Sequence, residues 1–125
     1  MFEARFRIAA LAESDGQGQR VFRITRQEAP ANEKEFASLL VTMYQQEVEG
    51  TLQVGDSLTI TFRLDLPPRE LERTVRMRED RRFEGEGMPQ PTSDLLPLMQ
   101  ELSEPLMQQV NPGDVFTITF LVQRL

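Results

Sequence analysis

Apolar and polar side chains alternate along the first segment of the chain. Between Phe2 and Leu11 most apolar residues occupy every second position, and charged residues fill several of the positions between them. A period of two predicts a half-buried β-strand. The glycine-rich segment 14–18 predicts a hairpin loop, because its residue types tolerate positive φ. A second strand is expected at about residues 20–26, before Ala29-Pro30-Ala31 interrupts the pattern.

The spacing of apolar residues changes after Asn32. Asn32 is suited to cap a helix, and Glu35 three residues later completes a variant of the capping box. Apolar residues then recur at helical intervals, which predicts an amphipathic helix of about 15 residues. The positions concerned are Phe36, Leu39, Leu40, Met43 and either Glu47 or Val48. Gly50 is the expected C-cap of this helix.

The clearest strand pattern in the chain covers residues 57–66. Leucine, isoleucine and phenylalanine alternate there with polar residues, and Pro67-Pro68 ends the segment. Residues 71–79 also alternate and are predicted to form a strand, although a helix also fits this segment. A short partner strand is expected around residues 82–86.

A second helix is expected after the loop at residues 85–91. Ser93 or Asp94 is the expected cap, and Pro97 falls in the first turn, where a missing N–H has little effect. Pro105 lies inside the helical pattern and predicts a kink or a division into two short helices. Alternation at residues 116–122 predicts the last strand.

Two segments of the chain match each other in sequence. Gly55-Asp56-x-x-Thr59-Ile60-Thr61-Phe62 and Gly113-Asp114-x-x-Thr117-Ile118-Thr119-Phe120 agree at six of eight positions, and each follows a predicted helix. Gly-Asp turns and half-buried strands of this composition are also common in general. Because the order of strands and helix repeats as well, we interpret the chain as an internal repeat of residues 1–66 and 69–125.

These elements predict a single α+β domain that spans residues 1–125. We expect an antiparallel or mixed sheet of five to six strands with two helices on one face. Two arrangements fit the order of elements. One is ferredoxin-like, with the first strand left out, and the other is a duplicated strand-strand-helix-strand unit.

The composition excludes several kinds of chemistry. The chain contains no histidine, cysteine or tryptophan, so thiol nucleophiles, imidazole bases and Ser-His-Asp triads are absent, as are the usual ligands of zinc. We therefore predict no catalytic residues, no cofactor and no metal site. Disulfides are excluded, no apolar run approaches the ~20 residues that span a bilayer, and the first residues do not resemble a signal peptide. A cytoplasmic protein without a membrane partner is expected.

Arginine dominates the basic residues, because Lys34 is the only lysine. The predicted strands carry a net positive charge although the whole chain carries −6. We predict a candidate binding surface on the sheet face away from the helices, formed by Arg5, Arg7, Arg23, Arg63, Arg76 and Arg78. Guanidinium groups bind phosphate well. The same positions also suit solvent-exposed strand residues with cross-strand partners, or contacts with acidic helices of another subunit.

Carboxylates give weaker signals. Glu84 and Glu86 are residue types that bind magnesium or calcium, but two carboxylates alone make a weak site. Asp56 and Asp114 each follow a glycine at the start of a predicted strand. Aspartate typically stabilises a turn in that position, so catalysis is not expected there.

The exclusion of catalytic groups favours a non-enzymatic interaction or structural module. The expected partner is a second copy of the chain, forming a homodimer, or another protein, since strand edges need covering. The alternative is a phosphate- or nucleic-acid-binding protein that uses the arginine-rich sheet face. Nucleic acid is not the expected partner, because the net charge of −6 opposes attraction and the phenylalanines fall in the buried phase, away from any base.

Overall fold

The structure, a computed structural model, describes residues 1–12, 21–24, 31–64, 69–85, 88–108, 111 and 113–124. Within these residues it contains the strands β1 (Phe2–Ala12), β2 (Val21–Ile24), β3 (Ala31–Asn32), β4 (Ser57–Leu64), β5 (Arg69–Met77), β6 (Phe83–Gly85) and β7 (Val115–Gln123). The helices are α1 (Glu33–Glu47) and α2 (Leu96–Met107), and a short 3-10 helix follows α1 at Glu49–Thr51.

The strands form an antiparallel sheet in the order β3-β2-β1-β7-β4-β5-β6. Strands β1, β7, β4, β5 and β6 make up the main five-stranded part, and the short strands β2 and β3 extend it beyond β1. The predicted α+β class is therefore confirmed. Residues 69–77 form a strand, not a helix, and its alternate residues Leu71, Val75 and Met77 contribute to the core.

Both helices pack on the same face of the sheet. Phe36 of α1 contacts Phe116 of β7 with ring centroids 5.5 Å apart, and Tyr44 lies 6.0 Å from Phe120. Helix α2 packs against α1, β4 and β5. Every second residue of β4 is buried beneath the helices. This layer of phenylalanine, leucine and isoleucine forms one core, and its burial is the main source of stability for a fold of this kind.

The two halves of the chain take matching places in this sheet. Strands β4 and β7 are central neighbours, and Thr61 lies directly opposite Thr119. Strand β1 borders β7 and is followed by β2, whereas β5 borders β4 and is followed by β6. If β1 is matched with β5, β2 with β6 and β4 with β7, the strands outwards from the Thr61–Thr119 pair follow the same order in both directions.

Matching residues in the two helices, or directly after them, are also buried in the same way. Leu40, Tyr44 and Val48 of the first half correspond to Leu98, Leu102 and Leu106 of the second, and all six are buried. Residues correspond when they lie the same number of positions before Gly55 in the first half and before Gly113 in the second. Descent of the two halves from one duplicated unit remains a prediction.

The turns before β4 and β7 have the same construction. The Gln53 N–H donates to Asp56 Oδ2 at 2.8 Å, and the Asn111 N–H donates to Asp114 Oδ2 at 2.8 Å. In each turn the aspartate backbone N–H also donates to a backbone carbonyl at 3.0 Å, from Asp56 to Gln53 and from Asp114 to Asn111. Gly55 has φ +91° and Gly113 has φ +95°, which is the conformation that a type II turn requires of its third residue.

Three details of the helices differ from the sequence predictions. Gly50 is not a C-cap, because α1 ends at Glu47 and Gly50 lies within the 3-10 helix. Helix α2 begins at Leu96 with Leu95 at the N-cap position, and Asp94 Oδ1 accepts the Leu96 N–H at 2.9 Å from just outside the helix. Helix α2 continues through Pro105 to Met107, so the predicted division into two helices is wrong, and a kink at Pro105 stays a prediction.

The ferredoxin-like order is not confirmed. That order would place the strand before α1 between β7 and β5, but β4 occupies this place. The second half has the element order strand-strand-helix-strand, and the first half has this order with the two-residue strand β3 added before α1. The predicted hairpin loop at 14–18 lies outside the described residues, as do the predicted strand ends at 20, 25–26 and 65–66.

Candidate functional site

The sheet face turned away from the helices, called the open face below, is the candidate site predicted from the sequence. Residues directly opposite each other in antiparallel strands point to the same face of a sheet. The pairings of β1, β7, β4 and β5 therefore assign the following residues to the open face: Glu3, Arg5, Thr117, Thr119, Thr59, Thr61, Arg63, Glu70, Glu72, Thr74 and Arg76.

Two rows of side chains cross the centre of the open face. The arginine row consists of Arg5, Thr117, Arg63 and Glu70, in that order from β1 to β5. The neighbouring row consists of Glu3, Thr119, Thr61 and Glu72, so it has a carboxylate at each end. Thr61 Oγ1 donates to Glu72 Oε2 at 3.3 Å.

The structure brings together only part of the predicted arginine surface. Arg5 and Arg63 flank Thr117 from its two sides, so their Cα atoms are about 10 Å apart, or two interstrand spacings. The backbone of Arg7 lies next to this row, opposite Val115. These positions form one corner of the predicted surface.

The other predicted arginines lie elsewhere. Arg76 is further along β5, roughly 20 Å from Arg63 at the strand rise of 3.2–3.4 Å per residue. Arg78 follows the end of β5, and the backbone of Arg23 lies on β2 opposite Ala10. The six arginines therefore do not form one continuous site.

Carboxylates accompany the arginines of the open face. Arg5 Nε lies 3.4 Å from Glu3 Oε1, and Arg63 is directly opposite Glu70. Arg76 lies opposite Glu84 of β6, and Arg78 Nη2 lies 3.6 Å from Asp80 Oδ2. Exposed pairs of this kind contribute little stability. They nevertheless cancel most of the positive potential that a general phosphate-binding surface would need.

Thr117 has an unusual environment for a residue of the open face. The residue is only 3% exposed. Among the described buried side chains, its Oγ1 is the one polar atom without a hydrogen-bond partner. Thr59 is its counterpart in the first half, and Thr59 Oγ1 lies 2.9 Å from Thr74 Oγ1. A buried polar atom without a partner is rare enough to require an explanation.

The outer edge of β5 presents unpaired backbone groups. Strand β6 pairs with β5 only at Val75, Arg76 and Met77. Among the described residues, the rest of this edge has no strand beside it. Met77 forms its backbone bonds with Gly55 and Asp56, towards β4. Because this direction alternates along an antiparallel strand, Glu70 and Glu72 direct their N–H and C=O groups outwards.

A groove lies beside this edge. It has a volume of about 360 Å³ and is lined by Arg69, Glu70, Leu71, Pro105 and Leu106. Leu71 comes from the helix-facing side of β5, and Pro105 comes from the last turn of α2. Arg73 Nη2 donates to Glu101 Oε1 at 2.7 Å and joins β5 to α2 next to the groove. The edge and the groove together form a strand-binding geometry, with backbone partners and an apolar floor.

The remaining candidate carboxylates have structural positions. Asp56 and Asp114 stabilise the two matching turns, as predicted, and the buried Asp56 also lies 3.8 Å from Arg124 Nε. Glu84 lies on β6, whereas Glu86 is outside the described residues. The part of the chain that the structure describes contains no group of three or more acidic residues placed to hold a metal ion.

Tyr44 is a buried titratable residue that lines a cavity. Burial raises the pKa of its hydroxyl to about 12, and the neighbouring Glu49 adds to this effect while Arg81 opposes it. The cavity beside it is small, at about 100 Å³. A phenol with such a high pKa stays protonated near neutral pH and does not act as a base.

Sequence analysis missed Glu70 and gave no binding role to Glu72 or Thr117. The alternation of residues 71–79 already placed Glu72 on the polar side of a strand. Nothing in the sequence identifies an edge strand, since the edge depends on how far β6 extends along β5. The isolation of the Thr117 hydroxyl depends on its cross-strand neighbours, which lie far away in the chain.

Comparisons with protein-family models, with curated proteins and with solved structures found no match for this chain. Among the described residues, neither helix has the length and apolar character needed to cross a membrane.

Proposed function

We propose that this protein is a non-enzymatic interaction module that binds an extended segment of a partner protein along the edge of β5. The observation that carries the proposal is the outward-facing backbone of Glu70 and Glu72 beside the groove at Leu71, Pro105 and Leu106. In strand addition, main-chain hydrogen bonds provide affinity and alternate side chains provide specificity.

The charges along the edge specify the chemistry of the partner. A residue of the partner opposite Glu70 or Glu72 would place its side chain on the open face, next to a carboxylate. The intervening residue would point to the opposite side, towards Leu71 and the groove. The edge therefore suits a segment in which basic and apolar residues alternate, because opposite charges on neighbouring strands stabilise pairing.

The same charges disfavour pairing of β5 with a second copy of itself. With the helices of both copies on one side, a pairing centred on Leu71 places Glu70 of one copy opposite Glu72 of the other. A pairing centred on either glutamate places that residue opposite its own copy. Like charges in these positions are destabilising. A homodimer through another surface remains a prediction, and light scattering would detect it as twice the mass of one chain.

The geometry gives less support to the nucleic-acid alternative. Each arginine of the open face has an acidic neighbour, and the described phenylalanines of β4 and β7 are buried under the helices. Single-stranded nucleic acid binds through exposed aromatic rings and a continuous positive groove. We expect no binding of single- or double-stranded nucleic acid at micromolar protein in about 0.15 M salt, where the Debye length is about 8 Å.

A peptide titration followed by NMR tests the proposed function. The probe is a short peptide of alternating lysine and valine, and its control is the peptide of alternating glutamate and valine. The lysine peptide should shift the amide signals of Glu70, Leu71 and Glu72 in a saturable way, and the glutamate peptide should not.

Substitutions at Glu72 separate the backbone contribution from the side-chain contribution. Glu72→Pro removes an outward N–H without removing a bond to β4, so it should abolish binding of the lysine peptide, whereas Glu72→Gln should weaken it by about three- to tenfold. Equal binding of both peptides, or full binding by a folded Glu72→Pro variant, would contradict the proposal.

A further inference from the structure

The arginine row offers a second binding site, on a different surface from the β5 edge. At its centre lies the buried Thr117 hydroxyl without a partner. On each side lies an arginine, Arg5 of β1 and Arg63 of β4, both paired in register with Thr117. A hydroxyl and two guanidinium groups carried by one row of a sheet are donors suited to an oxyanion.

Comparison with the first half shows that this arrangement is not a general feature of the sheet. Thr59 takes the place of Thr117, and its cross-strand neighbours are Thr74 and Leu121 instead of two arginines. The Thr59 hydroxyl has a partner within the sheet, at 2.9 Å from the hydroxyl of Thr74. The half with arginines on both sides is therefore the half in which the threonine hydroxyl lacks a partner.

We infer that Arg5, Thr117 and Arg63 form a binding site for a phosphate group. A phosphate has three oxygen atoms able to accept hydrogen bonds, which suffices for two guanidinium groups and the hydroxyl between them. A carboxylate has two oxygens and is too small to serve two arginines whose Cα atoms are about 10 Å apart as well as the hydroxyl. The site therefore favours phosphate over carboxylate.

The surrounding charges determine how strong the site is. Glu3 lies 3.4 Å from Arg5 and competes with the ligand for that guanidinium. This pair is exposed at the surface and contributes little, so a phosphate can replace Glu3 as the partner of Arg5. Glu70 lies opposite Arg63 on the far side from Thr117. Removal of the Glu3 carboxylate should strengthen the site, because it removes both competition and repulsion.

Titration with inorganic phosphate at constant ionic strength tests the inference, with the methyl signal of Thr117 as the NMR readout. We expect a saturable shift at Thr117 and none at Thr59. Arg63→Gln should weaken binding by about tenfold or more, since a hydrogen bond to a charged group is lost. Arg76→Gln is the matched control, because it removes the same charge from the same face at a distant position, and it should leave affinity unchanged.

Three further measurements complete the test. Glu3→Gln should increase phosphate affinity about two- to fivefold, and Thr117→Val should decrease it while the protein remains folded. Acetate should produce a much smaller shift at Thr117 than phosphate. The inference is wrong if phosphate does not move the Thr117 signal, if Arg76→Gln weakens binding as much as Arg63→Gln, or if acetate binds equally well.

Discussion

The two halves of the chain resemble each other more on the helix-facing side of the sheet than on its open face. On the helix-facing side, Phe62 and Phe120 take matching positions and both are buried, as are Leu40 and Leu98. On the open face, Thr59 and Thr61 match Thr117 and Thr119, but Arg63 corresponds to Leu121 when each strand is counted from its glycine.

This difference separates the residues that hold the fold from those that are free to vary. A core position must fill a defined volume, so equivalent places in a two-half sheet accept similar side chains. A position on the open face carries no such constraint, and charges and hydroxyl groups can differ there without loss of the fold. Features that occur on the open face of one half alone are therefore the better indicators of function.

The largest effect is expected from truncation of the matching phenylalanines. Phe62→Ala and Phe120→Ala should each reduce the free energy of unfolding by about 3–5 kcal/mol, because each creates a cavity in the core. Phe62 lies 5.5 Å from Phe116, and Phe120 lies about as close to Phe2 and Tyr44, at 6.0 Å from each. Urea denaturation would measure both. A loss below about 1 kcal/mol for one variant alone would show that the halves are not equivalent in the core.

A pH effect should arise from the first half only. Tyr44 has an ionisable side chain, whereas its counterpart Leu102 has none, and Tyr44 is the only tyrosine of the chain. Burial raises its pKa from 10.0 to about 12 in the folded protein. The native state therefore keeps a proton that the unfolded state loses. The stability contribution is complete below pH 10 and is lost as pH rises towards about 12.

Phenolate absorbance measures this titration directly, because no other tyrosine contributes. The folded protein should show a midpoint near pH 12. Tyr44→Phe should remove the part of the alkaline decrease in stability that Tyr44 causes. A midpoint near 10, the ordinary value, would mean that the hydroxyl is in contact with solvent.

Substitution of the turn glycines should have an intermediate effect that is equal in the two halves. Gly55→Ala and Gly113→Ala place a side chain at φ +91° and +95°, where nothing within 4 Å obstructs the added methyl group. The cost of about 1–2 kcal/mol should therefore come from the backbone alone. Gly50→Ala is the control, since the same space is available without a positive φ. Thermal unfolding of the three variants would test the comparison, and a large loss in Gly50→Ala would contradict it.

The smallest effects should distinguish the two threonines. Thr117→Val removes a buried hydroxyl without a partner, so stability should stay the same or rise by up to about 1 kcal/mol. Thr59→Val removes the bond to Thr74 and should reduce stability by up to about 1 kcal/mol. Chemical denaturation in phosphate-free buffer is the required measurement. A clear loss of stability in Thr117→Val would mean that its hydroxyl has a partner within the protein.

Local patterns predicted most of the fold. The strands at Phe2–Ala12 and Ser57–Leu64 and both helices follow from apolar spacing, since period two and period 3.6 place one set of side chains on one face. Boundaries were less accurate where the local signal was weak. Gly50 was predicted to cap α1, but it lies within the 3-10 helix that follows. Pro105 was predicted to kink or divide α2, but the helix continues to Met107 without a division.

The candidate sites were predicted only in part. The alternation placed Arg5 and Arg63 on the same face, and both lie in register with Thr117. It did not show that Arg76 lies far from them, because distance across a sheet depends on strand order and register. Sequence analysis also did not identify the β5 edge, since its length depends on how far β6 pairs along β5.

The sequence by itself determined which apolar residues of the strands and helices form the core, where the two matching turns lie and which catalytic groups are absent. These properties depend on side-chain type and on spacing within one segment. Only the tertiary structure decided that β4 and β7 are central neighbours, that two distant arginines flank one threonine, and that β6 pairs with only three residues of β5. Each of these depends on pairing between segments far apart in the chain, and a half-buried strand of alternating residues is compatible with many different neighbours.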